Sequence, residues 1–117
     1  TNKNVFISGS TRGIGLAIAH HFAANGANII LNGRSEIAAD LLASFDQYGV
    51  KVSGVSGDVS DFDDAKRMID DATTALGSVD ILINNAGITA DKLMLKMTAD
   101  DFEKIETINY NKKGRSR

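Results

Sequence analysis

The sequence predicts an α/β protein built on a doubly wound parallel sheet. Short apolar runs rich in Val and Ile recur at 4–8, 28–32, 51–56 and 79–84, and stretches with helical spacing separate them. Each crossover is long enough to return the chain to the same end of the sheet, so consecutive strands run parallel. Consecutive apolar residues within a run, as in "ILI" at 81–83, indicate strands that helices bury on both faces.

The first two helices are predicted from spacing and from glycine stops. The first begins near Ile14, carries Ile14, Ile18 and Phe22 on one face, and ends at Gly26. The second is predicted over 35–48, directly before another glycine.

The third and fourth helices are predicted from capping patterns. Ser60 and Asp63 form a candidate capping box for the third helix, which is expected to stop at Gly77. Thr98 is the candidate cap of the fourth helix, which is expected to carry three apolar residues on one stripe: Phe102, Ile105 and Ile108.

The expected strand order is 3-2-1-4, which leaves the run at 79–84 at the edge of the sheet. An apolar edge strand is a template for association with another chain. We therefore expect self-association, either as a homo-oligomer or as aggregation.

Length and composition limit the class of protein. A chain of 117 residues fits one small domain. Residues 1–111 carry 9 Lys and Arg against 15 Asp and Glu, while the last six residues carry four basic residues and no acid. The acidic body argues against a nucleic-acid footprint, although the tail alone remains able to contact an anionic partner. Without cysteine or a run near ~20 apolar residues, we expect a cytoplasmic protein with no disulfides and no membrane span.

The stretch "ISGSTRGIGLAI" at 7–18 joins the first strand to the first helix and holds three glycines. Such a turn lets backbone N–H groups approach an anion, and the helix N-terminus adds partial positive charge. The spacing G-x-x-x-G-x-G differs from G-x-G-x-x-G, and the missing Gly-Lys-Ser/Thr excludes a Walker A loop. We expect the amides from Ser8 to Ile14 to bind a pyrophosphate; the alternative is a turn that serves only tight packing.

Two further loops follow strands of the predicted sheet. "GDVSD" at 57–61 follows the third strand and "NNAG" at 84–87 follows the fourth. Open α/β sheets bind ligands at the carboxyl ends of their strands, where both loops and the glycine turn are expected to meet. The sequence therefore predicts one cleft.

Residues 4–109 resemble the cofactor-binding half of the short-chain dehydrogenase/reductase family, which has a Rossmann-type fold. The family motif T-G-x-x-x-G-x-G is matched with Ser8 in place of Thr, and N-N-A-G is complete. The stretch 84–109 is most similar to bacterial members that reduce 3-oxoacyl thioesters on acyl carrier protein in fatty acid synthesis. The resemblance implies an NADP(H)-dependent oxidoreductase with an acyl carrier protein-linked substrate, a dinucleotide-binding unit at 1–109 and a basic non-family tail at 110–117.

The resemblance also implies roles for particular residues. Six would surround the pyrophosphate and the adenosine ribose: Gly9, Ser10, Arg12, Gly13, Ile14 and Gly15. Asp58 and Val59 would border the adenine. Three would line the ribose and the nicotinamide: Asn85, Ala86 and Gly87. Asn109, expected late in the fourth helix, stands where the family has a catalytic asparagine that helps hold a proton-relay water.

The end of the second strand, "ILNGRSE" at 30–36, bears on the choice between NAD and NADP. An NAD site places a carboxylate there for the ribose 2′-OH, whereas a 2′-phosphate requires a cation. Asn32 and Gly33 supply no acid, while Arg34 and Arg12 supply guanidinium groups suited to phosphate. NADP is favoured, the alternative being that Glu36 binds the ribose.

The family's catalytic pair is a tyrosine with a lysine four residues later, which share one face of a helix. Tyr48 is followed at that distance by Val52, and Tyr110 by Gly114. The segment 110–117 resembles no later family segment. We therefore expect this chain to bind cofactor weakly and to catalyse little by itself.

Two other functions remain open. A member of the same family acting on a sugar, a steroid or a small carbonyl compound fits the same motifs. A non-catalytic nucleotide-binding or interaction module with a basic tail is the second. A metal site is not expected, because the adjacent His20 and His21 have no histidine partner four residues away.

Overall fold

The computed structural model describes residues 3–59, 61–85 and 106–109, the last four as backbone only. A parallel sheet of five strands forms its centre, in the order β3-β2-β1-β4-β5. The strands are β1 Asn4–Ile7, β2 Asn28–Gly33, β3 Val52–Ser56, β4 Ile81–Asn84 and β5 Glu106–Asn109. The predicted α/β class and the 3-2-1-4 order of the first four strands are confirmed.

Helices cover both faces of the sheet. They are α1 Gly13–Ala24, α2 Ala39–Ala43 and α3 Phe62–Leu76, with a short 3₁₀ helix at Asp46–Tyr48. Side chains along β1 alternate between two buried clusters: Phe6 packs with the residues of α3, whereas Val5 and Ile7 pack with those of α1. This alternation explains why the strands read as continuous apolar runs, because each face has its own helical cover.

Helix α1 packs on the sheet through a different stripe from the predicted one. Its buried positions are its small residues, Gly15, Ala19 and Ala23. The predicted apolar stripe lies to one side and is only half-buried: Ile14, Ile18 and Phe22. Small side chains let the helix backbone come close to the sheet. The larger side chains of Ile18 and Phe22 pack at the edge of the same core. The predicted end at Gly26, where φ is +92°, is confirmed.

The second helix is shorter than predicted. Residues 35–38 precede α2, which begins only at Ala39, and Ile37 among them is buried with 9% of its surface exposed. Ile37 packs so closely on Gly54 that a β-carbon there would lie 2.7 Å from it. Inserting this side chain into the core holds the segment out of the helix. The predicted stop at Gly49, with φ of +68°, is confirmed.

Helix α3 begins one residue later than the predicted capping box. Its N-cap is Asp61, whose Oδ1 accepts hydrogen bonds from the N–H groups of Asp63 and Asp64 at 2.9 and 3.2 Å. Ser60 lies outside the described residues. The stop at Gly77, with φ of +98°, is confirmed.

The fifth strand corrects two predictions. β5 pairs in parallel with β4 along its full length, so β4 is not an edge, and the expected association through an apolar β4 edge loses its basis. Ile108 and Asn109 lie in this strand and not in a fourth helix; Thr98, Phe102 and Ile105 lie outside the described residues. Within 3–59 and 61–85, no helix has the length and apolar character needed to cross a membrane.

Candidate functional site

The carboxyl ends of the five parallel strands lie along one edge of the sheet, where the turns after β1 and β2 enclose a cleft of about 830 Å³. Its polar and charged lining is Thr11, Arg12, Arg34, Ser35, Glu36, Asp40 and Ser44. Two cations and two acids thus face the same space. Thr11 and Ser35 were not singled out from the sequence, although each stands beside an arginine that was.

Ser8 ties the end of β1 to the end of β4. Its backbone N–H donates to the carbonyl of Ile83 at 3.0 Å, and its Oγ accepts from the N–H of Asn85 at 2.8 Å. The side chain is fully buried. The hydrogen bond from Asn85 requires only a side-chain hydroxyl at this position. Ser8 therefore supplies the group that Thr would supply in the motif T-G-x-x-x-G-x-G.

Asn32 holds the glycine turn in place, a role that sequence reasoning missed. Its buried Oδ1 accepts from the N–H of Gly9 at 2.9 Å, and its carbonyl accepts from the N–H of Ser10 at 2.8 Å. In return, the N–H of Asn32 donates to Ser10 Oγ at 2.9 Å. The signal in the sequence is an amide that directly follows the apolar run Ile29–Leu31 in a strand buried on both faces, since a buried polar side chain requires partners. The Asn32 side chain is therefore buried against the glycine turn and does not line the cleft.

These contacts correct the predicted phosphate pocket. The amides of Ser8, Gly9 and Ser10 are already bonded within the protein. The N-terminus of α1 differs: Arg12 is its N-cap with extended backbone, no side chain caps it, and its first turn carries no acid. The free N–H groups of a first helical turn form an anion site. Among the described residues, the amides of Ser8 to Ser10 are therefore not available to a phosphate. The amides that fit one are those of Arg12 and of the first turn of α1.

The three glycines of the turn are required for different structural reasons. Gly9 and Gly13 have φ of +60° and +62°, which side-chain-bearing residues rarely adopt. A β-carbon on Gly15 would lie 2.2 Å from the carbonyl oxygen of Gly9 and 2.6 Å from Asn85 Nδ2, whereas one on Gly13 would meet nothing within 4 Å. Gly15 thus serves tight packing, and Gly13 leaves open space beside the helix N-terminus. The residues present fit a pyrophosphate.

The segment after β2 contributes one cation and one acid to the cleft, Arg34 and Glu36. The Arg34 side chain is 80% exposed, and its Nη2 lies 3.8 Å from Asp58 Oδ1. Such a long and exposed ion pair holds the guanidinium weakly. Arg34 is therefore able to turn towards an anionic ligand, while Glu36 lines the same cleft.

The loop after β3 is held by α3. The N–H of Asp58 donates to Asp64 Oδ2 at 2.7 Å. This bond, followed by the one from Arg67, lowers the pKa of the Asp64 carboxyl. Val59 is buried in the α3-side cluster, so only its backbone is available to border an adenine.

Asn85 and Asn109 mark the other end of the edge. Asn85 Nδ2 donates to the carbonyl of Gly9 at 3.2 Å, which fixes the first residue of the loop after β4. Asn109 aligns with Asn84 across the β4–β5 pair, so the structure brings its backbone to the same edge. Ala86 and Gly87 lie outside the described residues.

The two histidines lie away from this edge on α1. His20 Nδ1 lies 2.8 Å from the hydroxyl of Tyr48, and its ring stacks on Phe45 at 4.2 Å. Within the described part of the chain, no three His, Cys, Asp or Glu side chains are grouped to hold a metal ion.

A parallel doubly wound sheet with a glycine turn opening its first helix defines a Rossmann-type nucleotide-binding unit. The family model of short chain dehydrogenases matches residues 3–114, and the chain belongs to that family. The family comprises oxidoreductases that bind a nicotinamide dinucleotide.

Individual proteins are similar over most of this chain. The 3-oxoacyl-[acyl-carrier-protein] reductase of Staphylococcus epidermidis is 35% identical over 115 residues, which are 97% of this chain and 46% of that protein. Glucose 1-dehydrogenase of Gluconobacter oxydans is 37% identical over 112 residues, 92% of this chain and 41% of that protein. The crystal structure of 3-oxoacyl-[acyl-carrier protein] reductase from Brucella melitensis with NAD has a TM-score of 0.69 at 28% identity, covering 74% and 34% of the two chains. The chain spans about half the length of the curated relatives it matches.

Proposed function

We propose that this chain is the cofactor-binding part of an NADPH-dependent reductase of 3-oxoacyl thioesters carried on acyl carrier protein. The observation that carries the proposal is the N-terminus of α1, which has no side-chain cap and no acid in its first turn and opens beside a charged cleft. The similarity to the S. epidermidis reductase over 97% of this chain supports the substrate class. By the same similarity we propose a cytoplasmic homo-oligomer.

Each group of residues at the sheet edge has a proposed part. Arg12, Gly13, Ile14 and Gly15 offer backbone N–H groups to the pyrophosphate, in the turn shaped by Gly9 and Ser10. Asp58 and Val59 border the adenine; Asn85, Ala86 and Gly87 line the nicotinamide side, and Asn109 takes the catalytic asparagine's place. When bound, NADPH supplies the hydride that reduces the substrate carbonyl.

Arg34 supports NADPH over NADH. Its exposed guanidinium has only a 3.8 Å ion pair with Asp58 among the described residues, which leaves it available to a 2′-phosphate in bidentate geometry. The similar reductase from Brucella was crystallised with NAD, and Glu36 in the same cleft is the residue that would accept from an unmodified ribose.

Calorimetry with both cofactors tests this assignment. We expect NADPH to bind more tightly than NADH, and Arg34→Ala to weaken NADPH by about 10- to 100-fold, since a hydrogen bond to a charged group contributes about 1.5–3 kcal/mol. Lys51→Ala is the matched control, because this exposed cation lies outside the cleft. Equal affinity, or tighter NADH binding that Glu36→Gln abolishes, contradicts the assignment.

We further propose that the 117-residue chain binds cofactor without appreciable turnover, because it contains no tyrosine with a lysine four positions later. NADPH oxidation with an acetoacetyl thioester, followed at 340 nm, tests this directly. Turnover at the rate of a complete reductase would contradict it and would assign the proton transfer to other residues.

A different carbonyl substrate is the second candidate. The 37% identity to glucose 1-dehydrogenase of G. oxydans favours it, since the cofactor-binding half alone does not select a substrate.

A further inference from the structure

Two charged side chains of α3 clamp the loop that follows β3. Arg67 Nη2 donates to the carbonyl of Ser56 at 2.8 Å and to Asp64 Oδ1 at 3.0 Å. The other oxygen of Asp64 accepts from the N–H of Asp58 at 2.7 Å. One arginine and one aspartate, a turn apart on one helix, therefore bond the backbone on both sides of Gly57.

The clamp leaves no room at Gly57. A β-carbon there would lie 2.8 Å from Arg67 Nη2, 2.8 Å from Asp64 Oδ2 and 2.9 Å from Met68 Sδ. The N–H of Gly57 donates to the carbonyl of Gly33 at 2.9 Å, at the end of β2. The loop is thus fixed between α3 and the strand that leads to Arg34.

Through Asp58, the clamp reaches one residue that lines the cleft, Arg34. Asp58, whose N–H is bonded to Asp64, has Oδ1 3.8 Å from Arg34 Nη2. A continuous series of polar contacts therefore runs from α3 to the residue that we assign to the 2′-phosphate. The orientation of the Asp58 carboxylate depends on a backbone position that α3 sets.

We propose that Asp64 and Arg67 are positioning residues, which hold the Asp58 carboxylate where it accepts a hydrogen bond from the amino group of a bound adenine. The inference rests on the proposed function, because it requires a dinucleotide in the cleft. A carboxylate acceptor distinguishes adenine from hypoxanthine, whose ring carries no amino group.

The charges of the clamp suit this role better than a role in stability. The ion pair is open to solvent, with 48% and 34% of the side chains exposed, and exposed pairs contribute little to folding. The pKa of Asp64 is lowered, first by the Asp58 N–H and then by Arg67, and the pKa of Arg67 is raised by Asp64. The Asp64 carboxylate is therefore ionised at and above the ordinary pKa of an aspartate, and the contact is lost only as the pH falls through its lower folded-state pKa.

Binding of NADPH and of its deamino analogue, with hypoxanthine in place of adenine, tests the inference by calorimetry. In the unmodified chain we expect NADPH to bind about 10- to 100-fold more tightly, as one hydrogen bond to a charged acceptor implies. Arg67→Met and Asp64→Ala should reduce this ratio to about two or less, mainly through weaker NADPH binding. Arg67→Lys, which keeps the charge but not the planar fork, should restore part of it.

Matched controls separate the clamp from a general change of charge. Lys66→Met removes a positive charge from the position directly before Arg67, and Asp70→Ala removes an exposed carboxylate from the same helix. Both variants should keep the ratio of NADPH affinity to deamino-NADPH affinity. In ligand-free protein, amide hydrogen exchange at Asp58 should be faster in Asp64→Ala than in Asp70→Ala.

The outcomes distinguish the inference from the function on which it rests. If the unmodified chain binds neither dinucleotide, the proposed function fails and the inference fails with it. If the unmodified chain binds NADPH but Arg67→Met and Asp64→Ala keep the full preference over the deamino analogue, the function stands and the positioning role is wrong.

Discussion

Helices α1 and α3 both begin at the carboxyl edge of the sheet, yet their N-termini are built in opposite ways. In α3 the Asp61 carboxylate bonds two amides, and Asp63 and Asp64 occupy the first turn. In α1 the N-cap is Arg12, without a side-chain hydrogen bond and without an acid in the first turn. Since both termini carry partial positive charge, α3 neutralises its own, whereas the charge of α1 is not neutralised by a cap or an acid of its first turn.

On the proposed function, this difference separates a structural helix end from one that binds the cofactor. A capped, acidic terminus repels a phosphate, whereas an uncapped terminus next to a cation attracts it. Substitutions that exchange these properties, or that close the space in front of α1, test the comparison.

Gly15→Ala should have the largest effect. A β-carbon 2.2 Å from the carbonyl oxygen of Gly9 forces α1 away from the turn, and we expect the free energy of unfolding to fall by about 3 kcal/mol, as in overpacked cores. Urea denaturation followed by circular dichroism measures it. Gly77→Ala is the control, because nothing lies within 4 Å of its added carbon and only its positive φ costs about 1–2 kcal/mol. If both variants lost the same free energy of unfolding, the close contact between Gly15 and Gly9 would not be what excludes a side chain at Gly15.

Arg12→Asp should change binding and stability in opposite directions. The new carboxylate caps α1 as Asp61 caps α3, which should raise the free energy of unfolding by about 0.5–1 kcal/mol. The same group competes with the pyrophosphate and removes a cation, so NADPH should bind at least about 10-fold more weakly. Arg12→Ala, which removes the cation without adding a cap, should weaken binding less and leave stability unchanged. A more stable variant that retains full affinity would refute the anion site at α1.

Asp61→Ala should have the smallest effect and only on stability. Loss of the cap leaves two N–H groups of α3 to water, so we expect a loss of about 1 kcal/mol in urea denaturation and NADPH affinity within twofold of the unmodified chain. Asp70→Ala, a carboxylate of the same helix away from the cap, should change stability by less than about 0.5 kcal/mol. A large loss of NADPH affinity in Asp61→Ala would mean that the two helix ends are not independent.

Prediction from sequence succeeded where local pattern decides the outcome. The first four strands and the stops at Gly26, Gly49 and Gly77 lie where apolar runs and left-handed glycines place them. It failed where a distant partner decides. The backbone N–H groups of Ser8, Gly9 and Ser10 donate to Ile83 and Asn32, which lie 75 and 22–23 positions away along the chain, and no local pattern shows that these amides are already bonded.

The same reason explains the missed role of Asn32 and the error at β5. Asn32 supplies no acid for the ribose, as predicted, but no local pattern showed that its side-chain oxygen accepts from the N–H of Gly9. Residues 106–109 carry helical spacing with the segment before them, yet they pair with β4. Pairing with a strand more than 20 residues away is a tertiary contact, and it overrides local propensity.

The sequence by itself determined the order of the first four strands and the three helices between them, and the glycine turn, because hydrophobic periodicity and turn chemistry act over a few residues. The resemblance of its motifs to those of known proteins indicated the family. Only the tertiary structure decided which amides remain for a phosphate, which face of α1 packs on the sheet, and how Arg67 on α3 reaches the loop after β3. Those outcomes depend on hydrogen bonds and close approaches between segments far apart in the chain, which exist only after the sheet has formed.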